Sequence, residues 1–164
     1  MYRDMREYLT ALQKKRDLVE IDKEVSTDFE IAAYIRKSSD VNGPAFLFKN
    51  IKNHAGWRFA AGLYCTMSKI ATALECEPRE IMKKYREAVE NPIAPRVVSS
   101  AEFKHKVLKM DQVNLYNLPI CRHSEKDSGK FITSAVAFAK DPETHVLQLG
   151  IHRHELKGKN TLGL

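Results

Sequence analysis

The segment Asn91-Pro92-Ile93-Ala94-Pro95 divides the chain's hydrophobic patterning in two. Proline lacks the amide hydrogen that a helix interior needs, and it biases the preceding residue away from helical geometry. The helical pattern before it must therefore stop here. Upstream, helices alternate with short strands. Downstream, the pattern reads as strands joined by turns. The expected organisation is one unit over residues 1–95 and a β-rich unit over residues 96–164.

In the first unit, Asp4 and Glu7 have the spacing of a capping box, with Met5, Tyr8, Leu9 and Leu12 following at helical intervals. Leu18-Val19-Glu20-Ile21 alternates as a strand. Thr27 and Glu30 form a second capping-box pattern, predicting a helix to about Arg36. Asn42-Gly43-Pro44 is a turn, and Ala45–Phe48 and Arg58–Leu63 read as buried strands. A helix starting near Thr66 or Ser68 runs to Leu74. Another starts at Pro78, with Ile81, Met82, Tyr85 and Val89 on its inner face. In the second unit Lys106-Val107-Leu108 is a predicted strand. Phe131–Lys140 and His145–Glu155 are two more, joined as a hairpin by Asp141-Pro142-Glu143-Thr144. Thr161–Leu164 opens a further apolar segment, and unpaired strand edges favour self-association.

Composition narrows the function classes. The 164 residues are 43% hydrophobic and 29% charged, ordinary for a globular protein. No apolar run approaches the roughly 20 residues that span a bilayer. No apolar segment follows Met1-Tyr2-Arg3-Asp4, so a signal peptide is not expected. The net charge of +6 is scattered among acids and accompanies no RNA-binding or zinc-finger motif, which argues against a nucleic-acid partner. Cys65, Cys76 and Cys121 are odd in number and widely spaced. They read as reduced thiols of a cytoplasmic protein. His123, His145, His152 and His154 with Cys121 match no zinc spacing, and Cys121 has no recognisable Cys–His–Asn arrangement.

The order of motifs carries more. Met5-Arg6-Glu7-Tyr8-Leu9 precedes Leu18–Val25 and Gly43–Phe48 with Asn50. Leu118-Pro119-Ile120, Glu125-Lys126-Asp127-Ser128-Gly129, Ile132-Thr133 and Gly150-Ile151-His152-Arg153 follow. This series resembles the UbiD-like decarboxylases across nearly the whole chain. The resemblance implies an α+β fold: a small N-terminal α/β lobe, then the first strands of a flavin-reductase-like split β-barrel, truncated. It implies non-oxidative, reversible decarboxylation of an aromatic or α,β-unsaturated carboxylic acid, with prenylated FMN and a divalent metal such as manganese as cofactors.

By position in that family, Thr133 matches a threonine that contacts the flavin, and Ile151 the hydrophobe packed against it. Arg153 matches the arginine beside cofactor and substrate carboxylate. A guanidinium suits that place: it forks onto a carboxylate and stays charged at any working pH. Gln148 stands where the family has a metal-binding asparagine, and its amide sits one methylene farther out. Strand alternation also puts Gln148 on the face opposite Ile151 and Arg153, so a bulge would be needed to unite them. In the family the remaining metal ligands, the carboxylates that pair with the arginine, and the association segment match nothing before Leu164. The resemblance thus implies a partner: a C-terminal-half polypeptide, or further copies of the chain. The competing expectations are a non-catalytic remnant that binds a partner, and a basic α/β binding module unrelated to flavin.

Overall fold

The protein, a computed structural model, is described here over residues 2–164. Its first half is a three-layer unit. A three-stranded sheet has the order β1 (Leu18–Ile21), β2 (Ala45–Phe48), β3 (Phe59–Ala61), with β1 parallel to β2 and β2 antiparallel to β3. Strand alternation sends neighbouring side chains to opposite faces. On one face Ile21, Phe46, Phe48, Phe59 and Ala61 pack with Val25, Ile51 and helix α2 (Glu30–Asp40), through its Ile31, Tyr34 and Ile35. On the other, Leu18, Ala45 and Ala60 meet Tyr8 and Leu12 of α1 (Met5–Lys14) and Ala73 of α3 (Met67–Leu74). Leu12, Ile31 and Phe48 are fully buried. Each contributes about 1.5–3 kcal/mol by leaving water.

Local chemistry explains most boundaries. Asp4 accepts the Arg6 and Glu7 amides and so caps α1, while Glu7 reaches back to the Arg3 amide at 2.8 Å. Thr66 caps α3 through the Lys69 amide. The second capping box does not form. Phe29 sits at φ 69°, which delays α2 to Glu30, and the helix then continues to Asp40. The Thr27 hydroxyl instead accepts from Lys130 at 2.8 Å, and Glu30 accepts the Ser26 amide. The strand expected at 58–63 is cut to Phe59–Ala61 because Gly62 turns the chain at φ 68°. Pro78–Glu80 forms a 3-10 turn that leads into α4 (Ile81–Glu90). Only Ile81 of its expected inner face is buried; Met82, Tyr85 and Val89 are exposed.

Residues 91–101 carry no helix or strand. The strand expected at Lys106–Leu108 is absent too. Irregular backbone there links 3-10 turns at Glu102–His105 and Met110–Gln112, and no strand pairs with it among the described residues. After a third such turn, Leu115–Asn117, the chain is stitched to the first half. The Arg122 amide donates to the Thr27 carbonyl and the Phe29 amide to the Arg122 carbonyl, both at 3.0 Å. Cys121 enters the core beside Val25, Ile31 and Phe48, and its carbonyl accepts the Phe131 amide at 2.9 Å. The N-terminal core thus fixes the first strand of the second half.

That half has five strands: β4 (Phe131–Ile132), β5 (Val136–Lys140), β6 (Leu147–Ile151), β7 (His154–Gly158) and β8 (Thr161–Gly163). Strands β4, β7 and β8 form one antiparallel sheet in the order β4-β7-β8, and β5 and β6 form a separate ribbon. The result is a mixed α+β chain with small sheets.

Candidate functional site

The two strands expected at 131–140 and 145–155 are each broken, and at the same level. Ile132 pairs with His154, and the next pair is Val136 with Ile151. Three residues, 133–135, therefore face two, 152–153. An extra residue on one strand bends the hairpin as a bulge does. Thr133 and Arg153 lie opposite each other in this break. The bend separates β5–β6 from β4–β7, which is why one expected hairpin appears in two sheets. Its tip keeps the expected turn: the Asp141 carboxylate accepts the Glu143 and Thr144 amides and the Thr144 hydroxyl. These bonds hold the Asp141 carboxyl below its ordinary range.

Arg153 has defined neighbours. Its guanidinium lies 4.3 Å from the centre of the Phe131 ring, and one nitrogen is 3.5 Å from an Asp127 carboxylate oxygen. Glu155 stands two residues on in β7, held below the ordinary carboxyl range first by Lys157, then by Ser128 and Arg153. The arginine thus already has acidic neighbours from its own chain, Asp127 among them. Asp127 belongs to the Glu125-Lys126-Asp127-Ser128-Gly129 motif, whose sequence alone assigns it no role. The His152 imidazole folds back over Gly150, into space that a side chain at 150 would contest.

Ile151 ends β6 and is 78% exposed. It shares the large face of the ribbon with Leu147, Leu149, Val136 and Phe138, all exposed, while Gln148 and Gly150 pair with Ala139 and Ala137 on the small face. Gln148 is therefore on the face opposite Ile151, and the bulge lies beyond Ile151, so it does not bring the two together. Among the described residues no three histidines, cysteines or acids gather as a metal centre. Gln148 is expected to reach a metal only together with ligands that this chain does not contain.

A cavity of about 640 Å³ runs along β3, the end strand of the N-terminal sheet. Phe59–Tyr64 line one side, and Leu118–Cys121, His123 and Phe131–Ser134 the other. Thr133 is thus shared between cavity and bend, whereas Gln148, Ile151 and Arg153 do not line the cavity. Burial lowers the His123 imidazole against the pull of Asp127, and its Nδ1 has no hydrogen-bond partner. Burial pushes the Cys121 thiol up to about 12, which keeps it a neutral core group and not a nucleophile.

Comparison with known proteins places this geometry. The family model of the 3-octaprenyl-4-hydroxybenzoate carboxy-lyase N-terminal domain matches residues 9–89, and that of the Rift-related domain of the same carboxy-lyase matches residues 96–164. The chain belongs to the UbiD family. Anhydromevalonate phosphate decarboxylase of Methanothermobacter thermautotrophicus is 34% identical over 160 residues, covering 98% of this chain and 36% of that protein. Phenolic acid decarboxylase of Escherichia coli O157:H7 is 28% identical over 173 residues, with 98% and 36% covered. An evolved dimeric form of the UbiD-class enzyme HmfF from Pelotomaculum thermopropionicum, solved in complex with prFMN, matches with a TM-score of 0.89 and 32% identity. That match covers 99% of this chain and 38% of HmfF. The chain thus spans little more than a third of the length of these UbiD relatives. Among the described residues no helix is long and apolar enough to cross a membrane.

Proposed function

We propose that this chain supplies one wall of a UbiD-class site for non-oxidative, reversible decarboxylation of an aromatic or α,β-unsaturated acid, with prenylated FMN as cofactor. The observation that carries the reading is the break in the hairpin. In a chain of this family it sets Thr133 opposite Arg153 and leaves Ile151 exposed beside them. The second unit, residues 96–164, is read as the opening strands of a split β-barrel of the flavin-reductase type, following an α/β lobe over residues 1–95. Its short, open sheets support that reading.

Each residue has a task that its chemistry suits. The Arg153 guanidinium offers two parallel N–H groups to a substrate carboxylate and keeps its charge throughout the working pH range. The Thr133 hydroxyl offers a donor and an acceptor to the flavin edge. Ile151 covers the flavin face and excludes water. When bound, the prenylated flavin supplies the electron sink for the carbanion left as carbon dioxide departs. Gln148, on the ribbon face opposite Ile151, is the residue read toward a divalent metal such as manganese, and no step is assigned to that metal. The acid that returns a proton is assigned to the two thirds of the relatives' length that this chain does not match.

The test is reconstitution. The chain is purified alone and with a polypeptide covering the rest of its relatives' length, each with a flavin prenyltransferase co-expressed. Absorbance and turnover on aromatic and acrylic acids are then measured. The chain alone is expected to bind flavin weakly and to turn nothing over. The pair is expected to be active, and Arg153→Lys to lose about 100-fold or more, since an ammonium cannot hold a carboxylate in two-pronged orientation. Turnover by the chain alone, or full activity of the Lys variant, overturns the assignment. A pair that assembles without flavin or turnover supports the partner-binding reading instead.

A further inference from the structure

We propose that Asp127 is a positioning residue for Arg153: it holds the guanidinium over the Phe131 ring, so that its forked face is presented in the break opposite Thr133. The inference rests on reading Arg153 as the group that meets the substrate carboxylate. The geometry is independent of any bound molecule. Arg153 is 64% exposed, and a long side chain that free would otherwise sample many rotamers. Two fixed groups restrict it. The Phe131 ring is buried in the floor of the second half and lies under the guanidinium at 4.3 Å. The Asp127 carboxylate is only 17% exposed and stands 3.5 Å from one guanidinium nitrogen.

Asp127 is itself anchored. Its second carboxylate oxygen accepts the Ser124 amide at 3.0 Å, and its carbonyl accepts from Arg122 at 2.9 Å. Arg122 is in turn tied by its backbone to Thr27 and Phe29. The position of Arg153 is thus inherited, through the 122–127 loop, from the N-terminal core. An ion pair at this distance with one partner largely exposed adds little stability, about 0–1 kcal/mol. The role of Asp127 is orientation, and its effects should appear in where Arg153 points more than in how well the chain folds.

Asparagine at 127 keeps an oxygen for the Ser124 amide and removes only the charge that faces Arg153. The test uses the chain labelled with 15N-arginine. The Arg153 Nε–Hε resonance is expected upfield, shielded by the Phe131 ring. Asp127→Asn should move it toward the position of a free arginine, Asp127→Glu should restore part of the shift, and Phe131→Leu should abolish it. The thermal midpoint should stay nearly constant in Asp127→Asn. In the reconstituted pair, kcat/KM should fall between about 10- and 100-fold with Asp127→Asn. An Arg153 resonance unmoved by Asp127→Asn overturns the proposal, even if Arg153→Lys is inactive. A shifted resonance upholds the positioning, even if Arg153→Lys turns out active and removes Arg153 from the site. The two failures are therefore distinguishable.

Discussion

Two single residues set measurable limits on the chain. Lys69 is fully buried on the inner side of α3, where its ammonium donates to the Gly43 carbonyl at 2.5 Å and the Thr66 hydroxyl at 3.3 Å, and faces Asp17 at 3.4 Å. Lys69→Met leaves a carbonyl and a partly buried carboxylate without their cation. It should lower unfolding stability by about 2–3 kcal/mol in urea melts; a loss below about 0.5 kcal/mol would show that water replaces the ammonium. His123 makes the second limit. The folded chain holds its imidazole below the ordinary range because burial penalises the charged form, while the unfolded chain takes up a proton near pH 6.5. The unfolded state therefore binds more protons as pH drops through that value. Stability is fully present above it and declines as acid is added. His123→Gln should flatten the change in urea midpoint between pH 7 and pH 5, and an unchanged slope would assign that change to other groups. Neither role was legible beforehand. A lysine at a helical core position looks like a solvated charge in sequence, because its partners, the Gly43 carbonyl, the Thr66 hydroxyl and the Asp17 carboxylate, are gathered around it only by the fold. Arg153 was legible by family pattern, but its neighbour Asp127 lies far along the chain and only the loop's path brings them together.

At the scale of elements, the ribbon β5–β6 exposes Val136, Phe138, Leu147, Leu149 and Ile151 on one face. Contiguous apolar surface of this kind drives association. Introducing opposite charges at the facing pair, as Phe138→Glu with Leu149→Lys, should convert self-associating chain to monomer in sedimentation velocity and leave the thermal midpoint within a few degrees. Unchanged association would move the sticky surface elsewhere, with α4 the next candidate through its exposed Met82, Tyr85 and Val89. Elements whose signals are local were readable: α1 from Asp4, α3 from Thr66, the hairpin tip from Asp141. Those that failed depend on distant partners. The α2 boundary moved because Lys130 takes the Thr27 hydroxyl, and the Lys106–Leu108 segment had pattern without a neighbouring strand. The bend was in principle readable. On one strand Phe131 and Ile132 are followed by the small or polar run Thr133-Ser134-Ala135 before Val136 and Phe138 resume the alternation.

For the whole molecule, the two halves are joined through Cys121, which fills the N-terminal core while its carbonyl pairs with β4. Cys121→Ser places a hydroxyl among Val25, Ile31 and Phe48 and should cost about 1–3 kcal/mol. Because the same residue seats the second half, near-ultraviolet dichroism from both halves should melt together; separate transitions would show that the halves are held independently. The extra residue in the hairpin also gives the chain an asymmetric tolerance to changes in length. Removing Ser134 would let the ladder run unbroken from Phe131 to Lys140, with every ribbon side chain still on its present face. Removing His152 would widen the mismatch and put Arg153 out of step with Asp127. One strand can shorten at the expense of the bend alone, whereas the other cannot shorten without losing the arginine's place. Deletions that survive in a library of this hairpin should therefore fall on the Thr133 side when folding is selected, and on neither side when turnover is.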